Sequence, residues 1–288
     1  VIELSRTVRF FTPLVSATAT PPTTATSPAG LNGFGGIPPV DLTTLGRYDE
    51  IRVTCRGLPD PKTGYFKDIR EIDRAVRTVA LPIIAAAMQS PQSPESSPIR
   101  VLTRITPALH EALNRSVVEI RWWLSPFYAL SMGTDLSAAS SLAASRAVVI
   151  RQRFEIAAAH RLHVDSYTDQ QNRAIFGRCN NPSGHGHNYV FEPAVELSTD
   201  APDGSFTTQA FETAVDQAIL KPFDHTHLNV DTAEFNTTKG GVNPSVENIA
   251  RVFFEKLAPL ISQHSKGHAR LRSMTVFETE KTSATYPA

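Results

Sequence analysis

RFEIAAAHRLHVDSYTDQQNRAIFGRCNNPSGHGHNY, residues 153–189, decides the reading of this 288-residue chain. His160 closes an apolar run that begins at Val148. His185 and His187 lie one residue apart, and Cys179 stands just upstream of them. In a strand, residues i and i+2 point to the same face. His185-Gly186-His187 leads into Asn188-Tyr189-Val190-Phe191, so both imidazoles can reach one point from one side. His160 can bring a third from a neighbouring strand. Three converging imidazoles are what a catalytic zinc site uses, with a fourth position left for water or substrate. Cys179 offers a thiolate for proton transfer.

Further motifs follow in order: KPFDHTHLNVD at 221–231, NPSVENIARVFFEKL at 243–257 and VFETEKTSATY at 276–286. With AAAHRL at 157–162 and CNNPSGHGHNY at 179–189, these make residues 147–288 resemble the 6-pyruvoyl-tetrahydropterin synthase family. That family includes the related 6-carboxy-tetrahydropterin synthases. Several motifs in one order are far more specific than any one of them.

The resemblance implies an α+β tunnelling fold, in which antiparallel four-stranded sheets backed by paired helices close into an oligomeric barrel. It implies Zn2+ on His160, His185 and His187, with Cys179 as general base. Asp224 and His225 would form a proton relay, often supplied by a neighbouring subunit. Glu278 would anchor the pterin ring by accepting from its 2-amino and ring N–H edge. Glu280 is the alternative two residues on. Ser245 and Glu247 would lie near the pterin at a helix start, where Val246 replaces a common threonine. His163, His227, His264 and His268 read as surface histidines.

The implied reaction is a carbon–oxygen lyase step. 7,8-Dihydroneopterin triphosphate loses triphosphate and gives 6-pyruvoyl-tetrahydropterin. The spacing of Cys179 and His185 resembles the pyruvoyl synthases. The 6-carboxy-tetrahydropterin synthase of queuosine biosynthesis is the alternative, and a non-catalytic pterin-binding tunnelling-fold protein is the second.

A weaker pattern repeats. Gly64-x-Phe66 and Pro82 align with Gly204-x-Phe206 and Pro222 at a shift of 140 residues. Arg9-Phe10 matches Arg153-Phe154, Tyr48 matches Tyr189, and Arg115-Ser116 matches Arg272-Ser273. We read two units of strand, strand, helix, helix, strand, strand. Residues 1–132 form a degenerate copy, 133–146 a Ser/Ala linker, and 147–288 the catalytic unit. No histidine precedes His110, so the first copy has no metal ligands. Ile83-Ile84 stand where the second copy has Asp-His. Three tandem chains would supply six units, so a homo-oligomer is expected.

In the second copy, strands are expected over 147–159 and 188–198. Helices are expected over 209–220 and 243–260, and a closing hairpin over 270–278 and 282–286. Pro- and Thr-rich residues 13–39 read as a loop.

Composition narrows the partners. Formal net charge is zero, from 28 basic and 28 acidic residues. That gives no electrostatic case for nucleic acid or an anionic membrane. No apolar run approaches the roughly 20 residues that span a bilayer. No signal-peptide layout is visible at the N-terminus, and two cysteines make no disulfide framework. A cytoplasmic enzyme is the expectation. Cys55 reads as a packed side chain.

Overall fold

The computed structural model describes residues 1–12, 47–134 and 147–288. They separate into two compact units: Val1–Ile150 with Ser198–Asp200, and Arg151–Leu197 with Ala201–Ala288. The loop expected over 13–39 lies outside the described residues. So does the expected linker, apart from Gly133 and Thr134.

In the first unit, β1 (Ile2–Thr12) pairs antiparallel with β2 (Arg47–Gly57). Helices α1 (Ile69–Ala75), α2 (Leu81–Gln89) and α3 (Pro98–Ala112) follow. Strand β3 (Val117–Ser125) pairs antiparallel with β2 and with β4 (Tyr128–Gly133). Helix α3 starts where Ser97 accepts from the Arg100 amide and Pro98 supplies a preset φ. Its Leu102, Ile105 and Leu109 recur at helical spacing and are buried, as are Phe10, Ile51 and Val53 on the sheet.

One buried polar network interrupts this apolar core. Asp49 is buried and accepts from Thr12 Oγ1 and from Trp122 Nε1, each at 2.8 Å. Removing a carboxylate that serves two buried donors leaves both wanting. Asp49→Ala should cost about 3 kcal/mol of stability, visible as a lower urea midpoint. An unchanged midpoint would mean that the two donors find other partners.

Strand β5 (Ala147–Gln152) carries the chain from one unit to the next. The second unit begins with β6 (Phe154–His160), then α4 (Asp169–Phe176) and β7 (His185–Ser198). Helix α5 (Thr208–Val215), the short α6 (Lys221–Phe223), β8 (Thr226–His227) and α7 (Leu228–Asp231) follow. Helix α8 (Val246–His264), β9 (Ala269–Thr279) and β10 (Thr282–Tyr286) complete it. Strand β7 runs antiparallel to both β6 and β9, β10 pairs β9, and β8 adds to β6 in parallel. The architecture is α+β. Phe191, Met274 and Val276 of the sheet and Ile249, Phe253 and Leu257 of α8 are buried. The Phe191 and Phe253 rings meet edge-on at 5.5 Å.

Several boundaries differ from the expectation. The strand expected over 147–159 is two strands, interrupted at Arg153. Strand β7 starts three residues early, because His185, Gly186 and His187 pair with His160, Ala159 and Ala158. Helix α8 extends to His264, since buried Ile261 continues the stripe one turn past Leu257. The helix expected over 209–220 widens into a π-helical turn at Asp216–Leu220. There the Lys221 amide bonds the Asp216 carbonyl, five residues back. Pro222 has no N–H and its ring crowds the preceding turn, so a wider turn accommodates it. Among the described residues, no helix is long and apolar enough to cross a membrane.

Candidate metal centre

Pairing of β6 with β7 sets His160 opposite His185 and Ala158 opposite His187. The ligand atoms of the three histidines all lie within 4.8 Å of one another. His160 Nε2 and His185 Nε2 are 3.1 Å apart. The ring centroids of His185 and His187 are 4.7 Å apart, those of His160 and His187 5.2 Å.

Protonation follows from the partners. His160 Nδ1 lies 2.7 Å from the Pro244 carbonyl, which can only accept. Nδ1 therefore carries the proton and Nε2 presents a lone pair to the cluster. This is the arrangement in which an outer carbonyl fixes the tautomer of a ligating histidine. His160 is fully buried, and burial together with neighbouring His185, His187 and His227 pushes its pKa down to about 4, against the smaller opposing effect of the Pro244 bond. Burial also lowers His187, with Glu278 opposing. Both are neutral, ligand-competent imidazoles near neutral pH. Nε2 of His187 is buried without a hydrogen-bond partner.

These features fit a divalent ion. Ion-to-nitrogen bonds of about 2.0–2.1 Å in a tetrahedron set nitrogen-to-nitrogen edges of about 3.3 Å. The His160–His185 distance is close to such an edge, and orphaned His187 Nε2 would gain a partner.

The depressed His160 value has a consequence for stability. Its unfolded form titrates near the ordinary histidine value, about 6.5. The stability of the metal-free protein is therefore retained above that pH and lost as pH falls toward about 4. A difference of about 3 kcal/mol between the two ends is the expected scale. Thermal midpoints of metal-free wild type between pH 7 and pH 4 should fall more steeply than those of His160→Gln. Parallel curves would remove His160 as the titrating group.

Glu278 comes to the same place. Its Oε1 lies 3.6 Å from His160 Nε2 and 3.7 Å from His187 Nε2. Glu280 has left the strand for the exposed turn after β9. Cys179 sits half-buried in a 3-10 turn, Gly177–Asn180. That turn is tied to the residues after His160: Leu162 N–H donates to the Cys179 carbonyl, and Asn180 Nδ2 to the Leu162 carbonyl. Burial and the Glu278 charge raise the Cys179 thiol above its ordinary value. Protein groups alone thus disfavour the thiolate, and a cation nearby would act in the other direction.

Asp224 and His225 pair as expected, with Nδ1 and Oδ2 at 2.9 Å. Asp224 Oδ1 accepts from the Ala157 amide, and the His225 amide donates to the Ala157 carbonyl. The Ala157 bond, ahead of the His225 contact, holds Asp224 below the usual carboxylate range. His225 adopts φ 56° and is 82% exposed, so its imidazole projects into solvent. Ser245 caps α8, accepting from the Asn248 amide, one residue after the carbonyl that holds His160. Glu247, in the first turn, is exposed.

Two histidines read as surface groups are not. Nδ1 of His163 faces two donors, Asn180 Nδ2 at 3.0 Å and Arg161 Nη2 at 3.2 Å. It therefore accepts, and it clamps the Cys179 turn. His227 is half-buried with Nδ1 unpartnered. Gly184, at φ 70°, passes so close that a Cβ there would stand 2.6 Å from His227 Nε2 and 3.0 Å from the His160 carbonyl. Only glycine fits that approach. Tyr189 was also missed. It lies two residues past His187 on the same strand face, a spacing that could have flagged it.

An α+β unit with three imidazoles converging from paired strand ends defines a candidate metal-binding site of the histidine-trio kind. The family profile described as 6-pyruvoyl tetrahydropterin synthase matches residues 149–288. A putative 6-pyruvoyl tetrahydrobiopterin synthase from Caenorhabditis elegans is 36% identical over 140 residues, 48% of this chain and 94% of the relative. The 6-pyruvoyl tetrahydrobiopterin synthase of Homo sapiens is 30% identical over 138 residues, 48% of this chain and 89% of the relative. A solved structure, 6-pyruvoyl tetrahydropterin synthase from Caenorhabditis elegans, is similar at 31% identity and TM-score 0.44, covering 49% of this chain and 96% of that one. The chain belongs to the 6-pyruvoyl tetrahydropterin synthase family, through its second unit.

Proposed function

We propose that the second unit is a zinc-dependent lyase that converts 7,8-dihydroneopterin triphosphate to 6-pyruvoyl-tetrahydropterin with loss of triphosphate. The observation that carries this reading is the buried His160 with Nδ1 committed to Pro244 and Nε2 turned to the cluster, 3.1 Å from His185 Nε2. The three histidines would hold zinc, whose chemistry is Lewis-acid polarisation of an oxygen on the substrate side chain. Cys179 would take a proton from a hydroxyl-bearing carbon. Asp224 orients His225, the exposed partner of the relay, which is free to serve the site of a neighbouring copy. Glu278 would accept hydrogen bonds from the substrate, and Ser245 and Glu247, at the start of α8 beside Pro244, would lie near the pterin.

The test is product identification after incubation with 7,8-dihydroneopterin triphosphate and zinc. Formation of the pyruvoyl product with triphosphate release supports the reading. A 6-carboxy product would replace it with the carboxy-tetrahydropterin synthase reaction. Tight pterin binding without turnover would make the chain a binding protein. Triphosphate release that survives chelation would contradict the metal's part.

We further propose that residues 1–132 and 147–288, joined by 133–146, are a tandem duplication. A single shift of 140 residues relates several local features. Left-handed Gly64 and Gly204 are one pair. The π-helical turns Val76–Ala80 and Asp216–Leu220, each just before a proline, are another. The bulges at Thr54/Cys55 and Ala194/Val195 are a third. The same shift sets Asp49, rather than Tyr48, at the place of Tyr189, and Ile84-Ala85, rather than Ile83-Ile84, at that of Asp224-His225. It sets Leu45 and Arg47 at His185 and His187, and neither is a metal ligand. The first copy then serves assembly. Three chains would close six sheets into one barrel, removing exposed sheet edges.

A further inference from the structure

Tyr189 is a buried polar group that the chemistry above does not use. Its side chain is fully buried, and its hydroxyl has no hydrogen-bond partner. A buried, unpaired hydroxyl is costly, and native proteins keep few of them. At the place related by the 140-residue shift, Asp49 is paired with both Thr12 and Trp122. The second unit leaves its counterpart open.

The neighbours of Tyr189 define what it can do. Its ring lies 5.3 Å from that of His187 and 5.9 Å from that of His160. Val190 pairs with Phe277, so the next step of the same register sets Tyr189 opposite Glu278. Tyr189 and His187 share a strand face, and Glu278 reaches His187 at 3.7 Å. A carboxylate so placed competes for any cation held by the imidazoles. Were it to bind, it would fill the fourth position, which substrate chemistry needs open.

We propose that the Tyr189 hydroxyl is a positioning donor for Glu278, holding its carboxylate beside a cation on His160, His185 and His187 and off the fourth coordination position. This rests on the metal reading above. A phenol ordinarily titrates at about 10, so at neutral pH its hydroxyl is available as a donor. A phenol-to-carboxylate bond is charge-assisted and would satisfy the orphaned hydroxyl.

The test loads the full chain with Co2+ and follows its visible absorption during azide titration. Wild type should respond to azide. Tyr189→Phe should need at least about tenfold more azide, and chelator should strip its cobalt about tenfold more slowly, the scale of outer-shell effects on metal sites. Tyr189→Phe with Glu278→Gln should regain the wild-type response. Metal-free Tyr189→Phe should melt no lower than wild type, because only an unpartnered oxygen is removed. Equal azide responses in wild type and Tyr189→Phe would overturn the assignment, and so would a lower melting temperature for the metal-free variant. Wild type that takes up no cobalt would overturn the metal reading itself, and this one with it.

Discussion

His160→Ala is expected to abolish both stoichiometric metal and turnover. The imidazole comes from the end of β6, opposite His185, and is fully buried. No other side chain stands in that register position to replace it. With two imidazoles left, Glu278, 3.7 Å from His187 Nε2, could complete a set, and it would do so at the expense of the open position. Activity should fall at least about a thousandfold, equivalent to about 4 kcal/mol of barrier. The variant also strips the Pro244 carbonyl of its donor at the start of α8. An unpaired buried carbonyl costs about 1–3 kcal/mol, so His160→Ala should also unfold at lower urea. His187→Ala should lose the metal with a smaller stability change, since its Nε2 has no protein partner to abandon. Metal analysis of the purified variants reads the first effect and urea titration the second. Full metal occupancy in His160→Ala would refute the ligand set.

Cys179→Ala is expected to keep the metal and lose turnover by about 10²–10⁴-fold, the usual worth of a positioned general base. The thiol carries no backbone duty: the turn is held through the Cys179 carbonyl and through Asn180. The substitution should therefore leave the fold intact. A second measurement separates base from bystander. Burial and Glu278 raise the thiol in the metal-free protein, so its thiolate appears only above the ordinary cysteine range. Alkylation should then be slow at neutral pH and rise as pH is increased. A divalent ion at the trio should move that rise to lower pH, because positive charge favours the thiolate. Cys55 is buried and raised by burial as well, so it should stay unreactive in both states and serve as an internal reference. Wild-type turnover in Cys179→Ala would remove the base assignment. An alkylation profile indifferent to metal would separate the thiol from the ion's field.

Much of the site was legible because its signals are local. HGHNY places two imidazoles on one strand face by alternation alone, and His160 ends a strand-like apolar run. The Asp224–His225 pair likewise rests on adjacency, and the structure joins them at 2.9 Å. Harder to read were groups whose role depends on distant chain. His163 looked like a surface residue because nothing nearby shows that Asn180, seventeen residues on, folds back against it. His227 looked exposed because its burial depends on how closely Gly184 can pass. The π-helical turns were missed for a different reason. Apolar spacing across 209–220 fits an α-helix, and the disturbance comes from Pro222, just beyond that window.

The order of motifs, the alternation of the histidines and the lack of any histidine before His110 were determined by the sequence by itself, because each depends on residue type and short spacing. Which nitrogen of His160 faces the cluster was decided by the tertiary structure. So were the approach of Glu278 to two imidazoles and the isolation of the Tyr189 hydroxyl. Those facts depend on strand register and on a helix start 84 residues away, and hydrogen bonds act over about 3 Å however far apart the partners lie along the chain.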